Sequence, residues 1–298
     1  MTALCLQSEY DPLQYWAAPA RNLRSSTRLH LQHQLFLNTT GFLLDPNIET
    51  SLQKRDTPFK VADLGCGNGI WLTDLSHELC KMNIPFQLNG FDINEANFPP
   101  GVFLPDSVRL SKLNILSQSL PEEVIGAFDV VHVRAFSSII LNNDTKALLS
   151  ACLALLKLGG WLQWEEMGAE FIIESAFPGQ EKDYCETLAQ LVKRGEDRQG
   201  MKLDFVREFG RHLMDAGFQQ VYVRKDVKRK QDYKGWTEDF LMIWEEAGFF
   251  HPSKSDDNQG SVTRELWNDL FAKAVQETEK GVILHRGCIH TAVGRKPV

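Results

Sequence analysis

The stretch Val61-Ala62-Asp63-Leu64-Gly65-Cys66-Gly67-Asn68-Gly69-Ile70 decides how this chain is read. A short apolar run breaks into three alternating glycines and then resumes as an amphipathic pattern. In that pattern Ile70, Trp71, Leu75 and Leu79 fall on one stripe, with Asp74, His77 and Lys81 off it. The sequence therefore predicts a strand, a tight turn and a helix. Glycines at 65, 67 and 69 permit positive φ and leave the main chain bare, so that a ligand can come within van der Waals reach of it. The first amides of the following helix face that gap with a partial positive charge, a seat for an anionic or polar group.

The spacing narrows the ligand. A dinucleotide fingerprint places its third glycine three residues after the second, whereas here it comes two after. A phosphate-binding loop would continue with Gly-Lys-Ser or Gly-Lys-Thr, which is absent. The next apolar run, residues 86–92, ends in Asp92. At the carboxyl end of a neighbouring parallel strand, that acid would accept hydrogen bonds from a ribose diol. With Asp63 just before the glycines, the pattern suits a ligand with a ribose and a cationic end, such as S-adenosylmethionine.

The block 61–75, with its Asp-Leu-Gly-Cys-Gly-Asn-Gly-Ile-Trp, resembles the cofactor-binding motif of class I S-adenosylmethionine-dependent methyltransferases. More narrowly it is similar to the fungal secondary-metabolism methyltransferases of the LaeA and UMTA type. Further pieces match in the same order: Arg28-Leu29-His30-Leu31-Gln32-His33, Phe128-Asp129-Val130-Val131-His132-Val133-Arg134, Leu158-Gly159-Gly160-Trp161-Leu162-Gln163, and Ile289-His290 through Gly294-Arg295-Lys296-Pro297. The resemblance spans most of the chain. It implies an α/β Rossmann-like sheet of seven strands with the last antiparallel, an N-terminal helical cap, and a helical insert before the last strand. It also implies S-adenosyl-L-methionine as cofactor, contacted by Asp63, Gly65, Cys66, Gly67, Asp92, Ile93, Asn114, Ile115, His132 and Val133. In this family the polar residue at the end of the third strand faces the adenine amine and the next side chain packs on the ring. Asp is commoner there, so Asn114 is a departure, although an amide still accepts a hydrogen bond.

Composition limits the alternatives. A chain of 298 residues with 43% hydrophobic and 24% charged residues has room for one large α/β domain, alone or with a helical annex. A net charge of −7 argues against a general nucleic-acid surface. The one basic cluster, 224–230, is interrupted by Asp226 and reads as a solvated strand edge. No apolar segment approaches the roughly 20 residues that span a bilayer, and the start, with Glu9 and Asp11, lacks the apolar core of a signal peptide. The six cysteines lie far apart without a Cys-x-x-Cys pair. They read as free thiols in a reducing compartment, so no metal and a cytoplasmic or nuclear address are expected.

Residues 1–57 are expected to form an N-terminal arm and helical cap, 58–168 the cofactor-binding core, and 169–298 the rest of the sheet with an insert at about 230–284. In the arm, Tyr10, Tyr15 and Trp16 either cap the core or close over the cofactor mouth, where Tyr15 and Trp16 would meet substrate. A helix is predicted over 26–39 with Leu29, His33, Phe36 and Leu37 on one side, followed by a linker at 45–57. Strands are predicted at 60–64, 86–92, 108–114, 128–133 and 160–164, joined by right-handed crossovers. A helix over 144–156 takes Asp144 as N-cap and ends at Gly159-Gly160. Beyond 168 the pattern is mainly helical: 180–195, then 203–216 with Phe205, Phe209, Leu213 and Met214 inward. A strand at 218–224, helices at 237–247 and 262–278, and a last strand at 288–294 complete it. Trp236, Trp244 and Phe249 either line a substrate pocket or pack the annex.

The stretch His132-Val133-Arg134 ends the fourth strand, where a sulfonium would come nearest. Methyl transfer is an in-line displacement that needs the acceptor about 3 to 3.5 Å from the methyl, and a base only when the acceptor must lose a proton. His132 is the candidate base. The competing reading turns its side chain into the sheet and leaves only its backbone at the cofactor. Arg134 either orients an acidic substrate or the cofactor carboxylate, or forms a surface salt bridge. Glu165 and Glu166 point to opposite faces of a strand, so at most one enters the site, where it is either a second base candidate or a solvated loop acid. The expected function is methylation of a small-molecule secondary metabolite on oxygen, nitrogen, sulfur or carbon. Two alternatives stand beside it: a LaeA-like regulator acting through protein partners, and a cofactor-bound protein that steers a non-methylating reaction such as a cyclisation.

Overall fold

Runs without a polar face, such as Val61-Ala62 and Val130-Val131, become strands buried on both sides. The computed structural model describes residues 23–52, 57–117, 119–247 and 263–298. In chain order its strands are β1 (Phe59–Leu64), β2 (Phe86–Asp92), β3 (Val108–Lys112), β4 (Phe128–Arg134), β5 (Leu156–Met167), β6 (Phe171–Ser175), β7 (Gln219–Asp226), β8 (Val282–Arg286) and β9 (Ile289–Arg295). The helices are α1 (Leu23–Thr40), α2 (Pro46–Leu52), α3 (Ile70–Lys81), α4 (Lys146–Leu155), α5 (Asp183–Arg198), α6 (Phe209–Asp215), α7 (Tyr233–Ala247) and α8 (Arg264–Glu279).

Seven strands form one sheet in the order β3-β2-β1-β4-β5-β9-β7. Strands β1 to β5 pair in parallel, and β9 runs antiparallel to both β5 and β7, the topology that the motifs imply. The chain leaves β1 outward through β2 and β3, then returns to β4 on the other side of β1. That reversal opens a crevice at the carboxyl ends of β1 and β4, where ligands of open α/β sheets collect.

Several local expectations give way to tertiary packing. The segment 45–57 is no plain linker, since Pro46 opens α2 and Asp45 Oδ1 accepts the Asn47 N–H at 2.9 Å. Helix α4 stops at Leu155 and passes directly into β5, so Gly159-Gly160 lies inside that strand instead of ending the helix. Thr145, not Asp144, stands at its N-cap, while Asp144 Oδ1 accepts the Lys146 N–H at 3.1 Å. Region 203–216 breaks into a short turn at Asp204–Val206 and α6, which leaves Met214 58% exposed while Phe205, Phe209 and Leu213 are buried. The chain beyond 168 also holds an unforeseen pair of strands, β6 and β8, in an antiparallel sheet of their own. Their pairing joins Phe171 to Arg286, far apart in sequence, so neither shows a local period.

The annex on this second sheet has its own core. Leu35 and Phe36 of α1, Trp236, Phe240 and Trp244 of α7, Trp267 of α8 and Leu284 of β8 pack in one cluster. Helix α1 buries Ser25, Arg28, Gln32 and His33 as well as Leu35 and Phe36, whereas Leu29 and Leu37 are only half-buried. The predicted apolar stripe is therefore displaced by a polar face that finds partners on α3 and α7.

Candidate functional site

Between the carboxyl ends of the parallel strands and the annex lies a cavity of about 410 Å³. The glycine turn forms its floor. Gly65, Gly67 and Gly69 have φ of 67°, 56° and 74°. Gly65 and Cys66 both donate to the Phe91 carbonyl, at 2.7 and 3.1 Å, and Gly67 N–H donates to Asp92 Oδ2 at 2.9 Å. Asp92 at the end of β2 thus braces the turn, and its other oxygen accepts the Asn94 N–H at 2.9 Å.

The glycines have a second use that the sequence does not reveal. A Cβ on Gly65 would stand 2.2 Å from the Phe136 ring, and one on Gly67 would stand 2.9 Å from Leu29 of α1. What occupies those bare faces is the protein's own side chains, so glycine there admits Phe136 and Leu29 onto the turn. A ligand meets the turn from its cavity side, which Gly65, Cys66 and Gly67 line. Burial, with Asp63 and Asp92 nearby, pushes the Cys66 thiol up, so it stays protonated.

Of the residues expected at the cofactor, Asp63, Asp92, Ile93, Asn114 and Ile115 also line the cavity, each at or just beyond a strand end. Asn114 Oδ1 accepts the Leu116 N–H at 3.0 Å and so shapes the turn after β3 as well. His132 and Val133 do not line the cavity, and the reading of His132 as a base is corrected. Its ring is 1% exposed, lies flat on Trp71 at 3.7 Å and 4°, and has Nδ1 2.7 Å from Asp63 Oδ1 and Nε2 3.6 Å from Glu165 Oε2. Burial disfavours the imidazolium, but the two carboxylates outweigh it and raise the pKa. Val133 is buried in the sheet's main core.

Arg134 lines the cavity and is not a surface salt bridge. Its guanidinium donates to His33 Nδ1 at 3.1 Å and lies 5.2 Å above the Phe36 ring. Burial and that cation push His33 down to about 4. The ring is therefore neutral, with its Nε2–H donated to Asp74 at 2.9 Å. Trp244 lines the cavity and packs in the annex core at once, 2% exposed and edge-on to Phe171 at 5.1 Å. Trp236 is buried away from the cavity. Tyr10, Tyr15, Trp16 and Phe249 lie outside the described residues.

Apart from Trp244, the far wall went unread in the sequence. Phe240, Ile243 and Trp244 of α7 face Trp267 of α8, with two ion pairs among them. Arg28 Nη2 lies 3.8 Å from Glu246 Oε2, and Arg286 Nη2 donates to Glu196 Oε1 at 2.6 Å. Besides Trp244, the sequence trace of this wall is the i, i+4 spacing of Arg28 and Gln32 on α1. Glu165 and Glu166 also depart from expectation, being 2% and 0% exposed instead of solvated. Among the described residues no group of His, Cys, Asp and Glu could hold a metal ion, and no helix is long and apolar enough to cross a membrane.

No family model matches the chain. It is 31% identical over 201 residues to the methyltransferase grgD of Penicillium sp, covering 65% of each protein. It is 28% identical over 147 residues to the N-methyltransferase verN of Clonostachys rogersoniana, covering 49% of this chain and 48% of that one. The chain thus matches between about half and just under two thirds of the length of these curated relatives. The phosphoethanolamine N-methyltransferase 2 of Haemonchus contortus, solved with S-adenosyl-L-methionine, shares the fold with a TM-score of 0.51 at 16% identity, covering 98% of this chain and 59% of that one. Sheet order and fold are those of class I S-adenosylmethionine-dependent methyltransferases. Over the lengths matched, the chain is similar to fungal methyltransferases.

Proposed function

We propose that this chain transfers a methyl group from S-adenosyl-L-methionine to a small organic acceptor in a fungal biosynthetic pathway. The observation that carries this reading is the continuity of one cavity from the glycine turn to the aromatic wall of the annex. Gly65, Cys66 and Gly67 would hold the cofactor through their backbone, Asp92 and Ile93 its ribose, and Asn114 and Ile115 its adenine. The cofactor, when bound, supplies an electrophilic methyl group on a sulfonium. Phe240, Ile243, Trp244 and Trp267 exclude water and orient an apolar acceptor, while the ion pairs of Arg28 and Arg286 offer polar anchors. Arg134 remains a candidate for the cofactor carboxylate or an acidic substituent of the acceptor.

Among the described residues no histidine lines the cavity, so alignment of the acceptor carries the rate in this reading, with no imidazole base. His132 instead holds Asp63 beneath the turn. The five described cysteines are free thiols, which supports a reducing, cytoplasmic or nuclear compartment. Incubation with methyl-labelled cofactor and an extract of the source cells tests the proposal. One metabolite gaining label and the mass of one methyl is the expected result. A product of unchanged mass would favour the non-methylating reading, and stable protein complexes without any labelled metabolite would favour the regulator.

A further inference from the structure

Glu166 is a wholly buried acid of β5 that the proposed methyl transfer does not use. Its Oε1 accepts the Phe136 N–H at 2.5 Å and the Trp164 Nε1–H at 2.9 Å. Phe136 lies in the segment that leaves β4, just after Ala135, whose φ of 55° is a left-handed conformation that side chains seldom adopt. Ala135 N–H is tied in turn to the Glu165 carbonyl at 3.0 Å. From this turn Phe136, Ser137, Ser138 and Ile139 line the cavity, and the Phe136 ring fills the face of Gly65 where a Cβ would stand 2.2 Å away. Burial pushes the Glu166 carboxyl up to about 8, so retaining an acid here opposes desolvation, and an apolar residue would avoid that cost. What an apolar residue lacks is the acceptor for Phe136.

We propose that Glu166 is a positioning residue. By accepting the Phe136 N–H it fixes the strained turn after β4, seats the Phe136 ring on Gly65, and so sets the shape of the cavity where the cofactor is read to bind. The inference rests on that cofactor reading and is tested by binding instead of turnover.

The measurement is calorimetric affinity for S-adenosylhomocysteine, with thermal melting of each variant to show that it is folded at the titration temperature. Glu166→Gln keeps an oxygen that accepts both N–H groups and should stay within about threefold of wild type. Glu166→Leu leaves both donors unpaired and should lose about tenfold or more. In a Phe136→Ala background, Glu166→Leu should add less than about threefold, because both changes act through one ring. Should the leucine variant fail to fold, Glu166→Asp, one methylene short of Phe136, carries the same expectation. Wild-type affinity in a folded Glu166→Leu or Glu166→Asp protein, or losses that multiply with Phe136→Ala, would overturn the positioning role alone. A wild-type protein without affinity for S-adenosylhomocysteine would overturn the cofactor reading beneath it.

Discussion

The two ends of the cavity are assembled in different ways. At the glycine end, Asp63 to Gly67, Asp92 and Ile93, and Asn114 and Ile115 come from the tips of three adjacent parallel strands, held in place by backbone register such as Asp63 opposite Gly90 and Asp92 opposite Lys112. At the annex end, the wall takes Arg28 from α1, Glu196 from α5, Trp244 and Glu246 from α7, Trp267 from α8 and Arg286 from β8. Backbone hydrogen bonds align the first set, whereas side-chain packing and two ion pairs join most of the second, with Arg286 alone held in a strand ladder. A ladder fixes its members to a fraction of an ångström, while packed helices shift with every change of side-chain volume. A common cofactor and a variable acceptor would be served by that division.

Perturbing each end should therefore give different signatures. Gly67→Arg should produce the largest effect, abolishing calorimetric binding of S-adenosylhomocysteine by more than about a hundredfold. It forces a long side chain into φ 56° and against Leu29, and measurable binding in that variant would break the contrast. Trp244→Ala should remove about 4 kcal/mol of stability by emptying a buried aromatic site, read as a fall in melting temperature. Its cofactor affinity should stay within about threefold, since the wall it opens belongs to the other end. His132→Ala should cost about 3 kcal/mol, because Asp63 is left buried without its partner. Its rate of methyl transfer should fall less than tenfold, and a loss beyond about a hundredfold would restore the imidazole to proton transfer.

The smallest effect expected is on pH dependence. Burial holds Glu166 at about 8 against an ordinary 4.5, while Trp164, the Phe136 and Ser137 amides and Arg286 favour its ionised form without prevailing. The folded protein thus binds this proton more tightly than the unfolded chain. Its contribution to stability is complete below about pH 4.5, is lost as pH rises to about 8, and is level above that. Denaturation of wild type against Glu166→Gln across that window should show wild type losing ground steadily. Parallel curves would mean that the acid is not buried as described.

Much of the sheet was legible because its information is local. The run 61–70 gave strand, turn and helix from its own residues, and β2 was placed at both ends from one apolar run closed by Asp92. Errors arose where a neighbour distant in the chain decides the outcome. Glu165 and Glu166 look like loop acids until His132 and the turn after β4 supply their partners. His132 looks like a base until Trp71 covers it. Strands β6 and β8 are short and defined only by each other. The ion pairs of the annex wall went unread for the same reason, since Arg28 meets Glu246 and Arg286 meets Glu196 only after the helices have packed.

Helix α1 touches both ends: Leu29 rests on the bare face of Gly67, while Arg28, one position earlier, reaches Glu246 on the annex. Divergence toward a new acceptor is therefore constrained in this helix. A substitution that re-tunes one selectivity drags the other with it, and descendants that change acceptors should accumulate their mutations on α5, α7 and α8, leaving the shared hinge of both specificities alone.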